Sequence, residues 1–254
     1  IRVADLAVIR DPYVILGLVI LAVFVLFVIS KMPQTKAEGQ MPSLGTTFGE
    51  LAKNKKYIYG VISQVLYVGA QIMTWTYIYQ YVEAIDLAKI NTVGYEKVDV
   101  FFYQLLAFIL FTVGRFIGTA LLRYMKPGKL LMVSAILASI FVIGTIFVEG
   151  MTGLYCLVGI SFCMSLMFPT IYGIALDDLT EEQSKVGSAG LVMAIVGGAL
   201  LPMLQGVIID AGGNGVADTK IMGVSEVNFS FILPFCCFLM IASYGYMAYK
   251  KFNN

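Results

Sequence analysis

The chain has 254 residues, of which 59% are hydrophobic and 13% charged, with a net charge of +1 and a mean hydropathy of +0.85. That is too apolar and too poorly charged to coat a soluble domain of this size. The near-zero charge gives no footprint for nucleic acid, and the absence of histidine removes the commonest general base and metal ligand.

The chain opens Ile1-Arg2-Val3 without a methionine or a signal-peptide pattern. Its first apolar run is too long for a signal h-region and lacks a cleavage site, so further residues are expected upstream. Seven stretches approach or exceed the ~20 residues that cross a bilayer. They lie at roughly 13–31, 57–82, 101–124, 130–148, 153–176, 186–209 and 229–249, with ends uncertain by ~2–4 residues. The first is nearly pure Val, Ile, Leu and Phe. The second carries Gln64, Gln71, Trp75 and several tyrosines, and the sixth is rich in Gly and Ala and contains Pro202. Cys156, Cys163, Cys236 and Cys237 fall inside apolar runs without metal-type spacing and read as small apolar residues.

The longest polar connection, Lys31 to Lys56, holds Pro33, Gly39, Pro42 and Gly45 and reads as a linker. It carries Lys31, Lys36, Lys53, Lys55 and Lys56. If spans alternate, Arg123, Lys126, Lys129, Lys185, Lys250 and Lys251 lie on the same side. The excess of Lys and Arg places the linker and the C-terminus in the cytoplasm and the chain start outside. One span, a cytoplasmic linker and six more spans match a 6+6 carrier from its sixth helix onward, the parallel-repeat plan of the major facilitator superfamily. The expected fold is all-α and polytopic: residues 1–31 end an N-terminal half with its last helix, 32–56 link, and 57–254 form a C-terminal six-helix bundle.

Gln64, Gln71 and Trp75 fall within a narrow stripe at ~100° per residue, with Tyr67 beside it. An amide buried in hydrocarbon costs several kcal/mol unless paired or wetted. Amides hydrogen-bond sugar hydroxyls and aromatic faces stack on pyranose rings, so the stripe suits a sugar; interhelical pairing of Gln71 is the structural alternative. Arg115, in Gly114-Arg115-Phe116-Ile117-Gly118-Thr119, is the one charge deep in a predicted span and should face a cavity, a carboxylate or helix-end carbonyls. It reads either as a gate or as a structural cap. Pro169, in Met167-Phe168-Pro169-Thr170-Ile171-Tyr172, marks a hinge or a packed kink; Phe168 and Tyr172 join the site if they face the cavity, and Gln205 if it touches substrate. No Asp or Glu sits deep in any predicted span, so a proton-coupling carboxylate is not expected in this segment.

Taken in order, Tyr67-Val68-Gly69-Ala70-Gln71 with Trp75 resembles the seventh helix of the fucose–galactose–glucose:proton symporter family. Gly114-Arg115-Phe116 with Gly118-Thr119 resembles its eighth, and Phe168-Pro169-Thr170-Ile171 its tenth. Val192-Met193, Gly197-Gly198 and Gly206 to Gly212 resemble its eleventh. Arg10-Asp11-Pro12-Tyr13 resembles the start of its sixth. The resemblance implies alternating access and proton-driven uptake of a hexose or deoxyhexose across a bacterial inner membrane. The coupling carboxylates would lie in the N-terminal half of the same transporter. It assigns the sugar cavity to Gln71 and Trp75, and more weakly to Gln64 and Tyr67. Met167-Phe168 stands where fucose carriers of the family have an amide and a hydroxyl, a departure that points toward other hexoses. The expected partners are a sugar, a proton, the lipid bilayer and the N-terminal half; no catalytic residue, metal or cofactor is expected. A self-contained seven-helix receptor is the alternative class, although a retinal type would need a lysine within 229–249, which has none. A major facilitator carrier for a non-sugar solute is a further alternative. A membrane enzyme lacks an intramembrane His or paired acids.

Overall fold

The computed structural model describes residues 2–30, 44–90, 94–213 and 219–251. The chain forms two units, Ile1–Pro42 and Ser43–Asn254. The described part of the first is a helix, α1 (Arg2–Ile29), whose apolar stretch is Tyr13–Leu26. Residues 31–43 of the expected linker lie outside the described residues.

The second unit begins with a difference from the sequence reading. Leu44–Lys53, expected as linker, is a helix, α2. It is amphipathic, so Thr47 and Leu51 turn inward while Phe48 stays exposed. Leu51 joins a small core with Tyr57, Ala175 and Leu191, and Gln183 Nε2 donates to Glu50 Oε2 at 3.0 Å across to the ninth helix.

The remaining helices are α3 (Lys55–Thr76), α4 (Ile78–Lys89), α5 (Val100–Leu121), α6 (Pro127–Phe147), α7 (Met151–Met164), α8 (Met167–Leu176), α9 (Glu181–Met193), α10 (Gly197–Ile209), α11 (Glu226–Ser230) and α12 (Ile232–Lys251). A two-stranded hairpin, β1 (Lys220–Ile221) and β2 (Val224–Ser225), precedes α11. Its turn places Met222 at φ 52 and Gly223 at φ 89, the left-handed pair that matches strand twist. Among the described residues, five helical stretches are long and apolar enough to cross a membrane: Val100–Leu121, Pro127–Phe147, Met151–Leu176, Glu181–Gly212 and Glu226–Lys250. α3 is long enough, at 22 residues, but its lysines, glutamines and tyrosines dilute it.

Four of the expected continuous spans are interrupted: 186–209 by a 3-10 turn at Ala194–Val196 between α9 and α10, and two of the others for one shared reason. A proline at position i has no N–H for the carbonyl at i−4. Pro169 thus strips Ser165, where α7 gives way to α8, and Pro234 strips Ser230, where α11 gives way to α12. The expected 57–82 span breaks at Tyr77 without a proline. Near it Thr74 Oγ1 donates back to the Ala70 carbonyl at 2.7 Å, as Thr112 and Thr145 do within the unbroken α5 and α6. Tyr77 itself anchors sideways, its hydroxyl donating to the Pro202 carbonyl at 2.7 Å.

α3 is the central post, packed on α8, α10 and α12. Small residues set the spacing: a Cβ on Gly60 would lie 2.6 Å from Ala175 Cβ, and one on Gly197 would collide with the Val65 carbonyl. Gly197→Ala is therefore expected to force α3 and α10 apart and to cost about 1–3 kcal/mol, measured as a lower thermal unfolding midpoint of the purified protein. An unchanged midpoint would mean the two helices can separate freely here. Near the α6–α7 turn, Asn228 Nδ2 donates to the Thr145 and Ile146 carbonyls at 3.3 and 3.4 Å, and the Tyr81 hydroxyl donates to Thr145 at 3.1 Å. In the last turn of α4, Asp86 accepts from two groups of the loop that follows, the Tyr95 hydroxyl at 2.7 Å and the Val98 N–H at 3.2 Å. Burial, followed by the bond to Asp86 and its charge, pushes the Tyr95 phenol up to about 12. The phenol stays protonated, and donating, through the neutral range.

Candidate functional site

The stripe on α3 divides at its middle. Gln64 and Tyr67 are wholly buried at 0% exposure, whereas Gln71 and Trp75, one and two turns further on, are half-buried. Lower α3 is closed in: Gly60 meets Ala175 of α8, and Val65 meets Gly197. The Tyr67 hydroxyl donates to the Met164 carbonyl at 3.0 Å, so it braces the end of α7. Both amide atoms of Gln64 are buried with no partner. Gln71 also has no hydrogen-bond partner among the described residues, but its amide keeps access to solvent. Of the two amides, only Gln71 can meet a ligand in this conformation.

Trp75 is fixed from three sides. Its indole N–H donates to Ser161 Oγ at 3.2 Å. Phe108 and Phe111 of α5 stand edge-on to it, with centroids at 5.0 and 5.1 Å and interplanar angles of 87° and 80°. Such edge-to-face pairs hold the large ring in one orientation. The Phe111 ring in turn carries the Arg115 guanidinium 4.9 Å from its centroid, a cation–π contact. Trp75, Phe111 and Arg115 thus form a continuous wall beside Gln71's helix.

Arg115 reaches the α7–α8 break because α5 packs there through glycines. A Cβ on Gly114 would sit 2.7 Å from Ser165 Oγ, and one on Gly118 would collide with Leu166. With that close approach Arg115 Nε donates to the Ser165 carbonyl at 3.3 Å. This is the acceptor that Pro169 leaves without its helical donor. Arg115 has no carboxylate partner among the described residues. Of the two readings the sequence left open for it, the geometry shows the helix-end contact.

Phe168 and Tyr172, one turn apart on α8, are both half-buried. Their rings stack at 6.5 Å with an interplanar angle of 13°, and Tyr67 meets Phe168 edge-on at 6.2 Å. Gln205 lies elsewhere: it is fully buried and its Nε2 donates to Ser230 Oγ at 2.9 Å, beside the α11–α12 break. The structure therefore brings Gln71, Trp75 and Arg115 to one wall, with Phe168 reached through Tyr67. Gln64 and Gln205 are sealed in the packing. Sequence reasoning missed Phe108, Phe111 and Ser161. Phe108, Phe111 and Arg115 are spaced i, i+3, i+7, so a search for one helix face on α5 would have found two of the three.

Apolar helices interrupted at prolines, around a wall of amide, indole and guanidinium groups and without metal-type clusters among the described residues, define a polytopic helical membrane protein of carrier architecture. The chain belongs to the Major Facilitator Superfamily, whose family model matches residues 4–202. It is 50% identical over 252 residues to an L-fucose-proton symporter of Haemophilus influenzae, covering 98% of this chain and 55% of that protein. A glucose/galactose transporter of Brucella abortus is 29% identical over 249 residues, again 98% of this chain and 55% of the relative. A crystal structure of the Escherichia coli fucose:proton symporter matches with a TM-score of 0.75 at 26% identity, covering 94% of this chain and 55% of that one. The chain thus spans about half the length of the relatives it matches.

Proposed function

We propose that this chain forms the C-terminal part of a sugar:proton symporter that works by alternating access, taking a hexose or deoxyhexose against the Gln71–Trp75 wall. The observation that carries this reading is the half-buried amide of Gln71, without a partner, one turn from an indole held rigid by Ser161, Phe108 and Phe111. An amide supplies a donor and an acceptor to vicinal hydroxyls, and a fixed aromatic face covers the apolar side of a pyranose. The symporter and transporter relatives support it. They name both fucose and glucose/galactose, so the family does not choose between a deoxyhexose and a hexose. Met167 is buried, so α8 offers the half-buried Phe168 ring near Tyr67, which suits a sugar's ring face better than its hydroxyls.

The rest of the assignment follows the sequence reading. The proton site lies in an N-terminal half that docks against this one. The ends carrying Lys55, Lys56, Lys126, Lys129 and the C-terminus face the cytoplasm of a bacterial inner membrane. Uptake of a panel of radiolabelled hexoses and deoxyhexoses by the full transporter, with and without a proton gradient, tests the reading. Accumulation of at least one sugar that collapses with the gradient is the expected result. Indifference to every sugar, with transport of some other solute, would assign the wall to a different cargo.

A further inference from the structure

A cavity lies at the opposite end of α3 from the Gln71 wall. It has a volume of about 400 Å³ and is lined by Lys55, Lys56, Tyr59, Asp178, Tyr244 and Met247, with Ala248. Lys56 precedes Gln71 by fifteen residues, roughly 22 Å along the helix axis, so the cavity is no extension of the candidate sugar site. We infer that it is a binding site for the phosphate-bearing headgroup and upper acyl chain of a membrane phospholipid.

Four observations carry this. The walls are apolar, formed by Tyr59, the Tyr244 ring, Met247 and Ala248, and Tyr59 and Met247 remain 46% and 44% exposed. The mouth is charged. Lys56 Nζ is matched by Asp178 at 3.0 Å and Asp177 at 3.6 Å, whereas the exposed Lys55 has no ion-pair or hydrogen-bond partner among the described residues. At the floor, the Tyr244 hydroxyl is buried, at 3% exposure for the residue, and has no partner. It sits 2.9 Å from where a Cβ on Gly60 would be, one turn deeper along α3 than Lys56. Finally, the cavity joins the first turns of α3 to the last turns of α12, the ends of two membrane-length helices. An ammonium at the mouth, an unsatisfied hydroxyl below it and an apolar wall open to the side fit a phosphodiester with a chain attached. A free phosphate would leave the apolar wall uncovered. Lysine at this level is the usual anchor for lipid phosphate.

The test uses the purified full transporter in detergent, with the unfolding midpoint and retained lipid by native mass spectrometry as readouts. Three additives are compared at matched concentration: phosphatidylglycerol, a diacylglycerol with the same chains, and glycerol phosphate. Phosphatidylglycerol is expected to raise the midpoint by several degrees and to leave one more lipid bound than the others do, because a ligand that binds only the folded state stabilises it. Lys55→Gln should remove at least half of that rise. Tyr244→Phe separates the site from plain packing. Deleting a hydroxyl with no partner leaves the lipid-free midpoint unchanged or higher, yet should shrink the lipid-dependent rise. Sugar uptake at saturating sugar stays intact in both variants, so failure here is distinct from failure of the transport reading. An equal response to diacylglycerol or to glycerol phosphate would overturn the assignment, as would lipid-dependent shifts in both variants equal to the unsubstituted protein's.

Discussion

Gln71→Ala is expected to weaken sugar binding about 5- to 150-fold, the loss of one or two hydrogen bonds amounting to ~1–3 kcal/mol. The fold should be untouched, because the Gln71 amide has no partner among the described residues and its removal orphans no protein group. Gln64 is the built-in contrast. Both of its amide atoms are buried without partners, so Gln64→Met should hold or raise the unfolding midpoint and leave affinity in this conformation nearly unchanged. Calorimetric titration of sugar into the two variants of the full transporter checks both. An unchanged dissociation constant for Gln71→Ala, with a normal midpoint, would remove that residue from the site.

The second large effect is expected at the α7–α8 break. Arg115→Ala should impair transport more than sugar affinity, since its Nε–H holds the Ser165 carbonyl that Pro169 cannot serve. A hydrogen bond from a charged group of this kind contributes ~1.5–3 kcal/mol. Its requirement should therefore be conditional on the proline. Pro169→Ala supplies the missing N–H, and in that background Arg115→Ala should cost far less. A double-mutant cycle on the unfolding midpoint and on uptake rate should give a coupling of about 1–3 kcal/mol. Strict additivity would mean that Arg115 acts through something other than Ser165. A uniform loss of affinity and rate in Arg115→Ala would make it a folding residue.

Long apolar blocks and their loops were readable in the chain because hydrocarbon forces each crossing segment to close its own hydrogen bonds. The helices Val100–Leu121 and Pro127–Phe147 lie within a few residues of the expected 101–124 and 130–148. The break before Pro169 was also readable, because a missing N–H is a property of the residue. What periodicity could not supply was depth. Gln64 and Gln71 share one stripe, yet Gln64 is wholly buried and Gln71, two turns on, is half-buried. A helical wheel projects this difference away. The break at Tyr77 was hidden because no residue there is a helix breaker by type, and a threonine back-bond like that of Thr74 leaves α5 and α6 continuous at Thr112 and Thr145. Helix α2 was hidden because Pro and Gly upstream made the whole polar stretch look like linker.

The guanidinium of Arg115 has an electrical consequence. It lies about two turns inside the end of α5, at Leu121, without a carboxylate partner among the described residues, so it brings a unit charge into the region where a transmembrane voltage would fall. A whole charge crossing that field is worth ~2.3 kcal/mol per 100 mV. Tied to a backbone oxygen, Arg115 would travel with its lobe by only a few ångströms of the ~30 Å core, or about a tenth of the field. The resting potential then biases the two orientations of the carrier by roughly 0.2 kcal/mol through this side chain. In the proposed symporter, a driving force of useful size would have to come from groups other than this side chain.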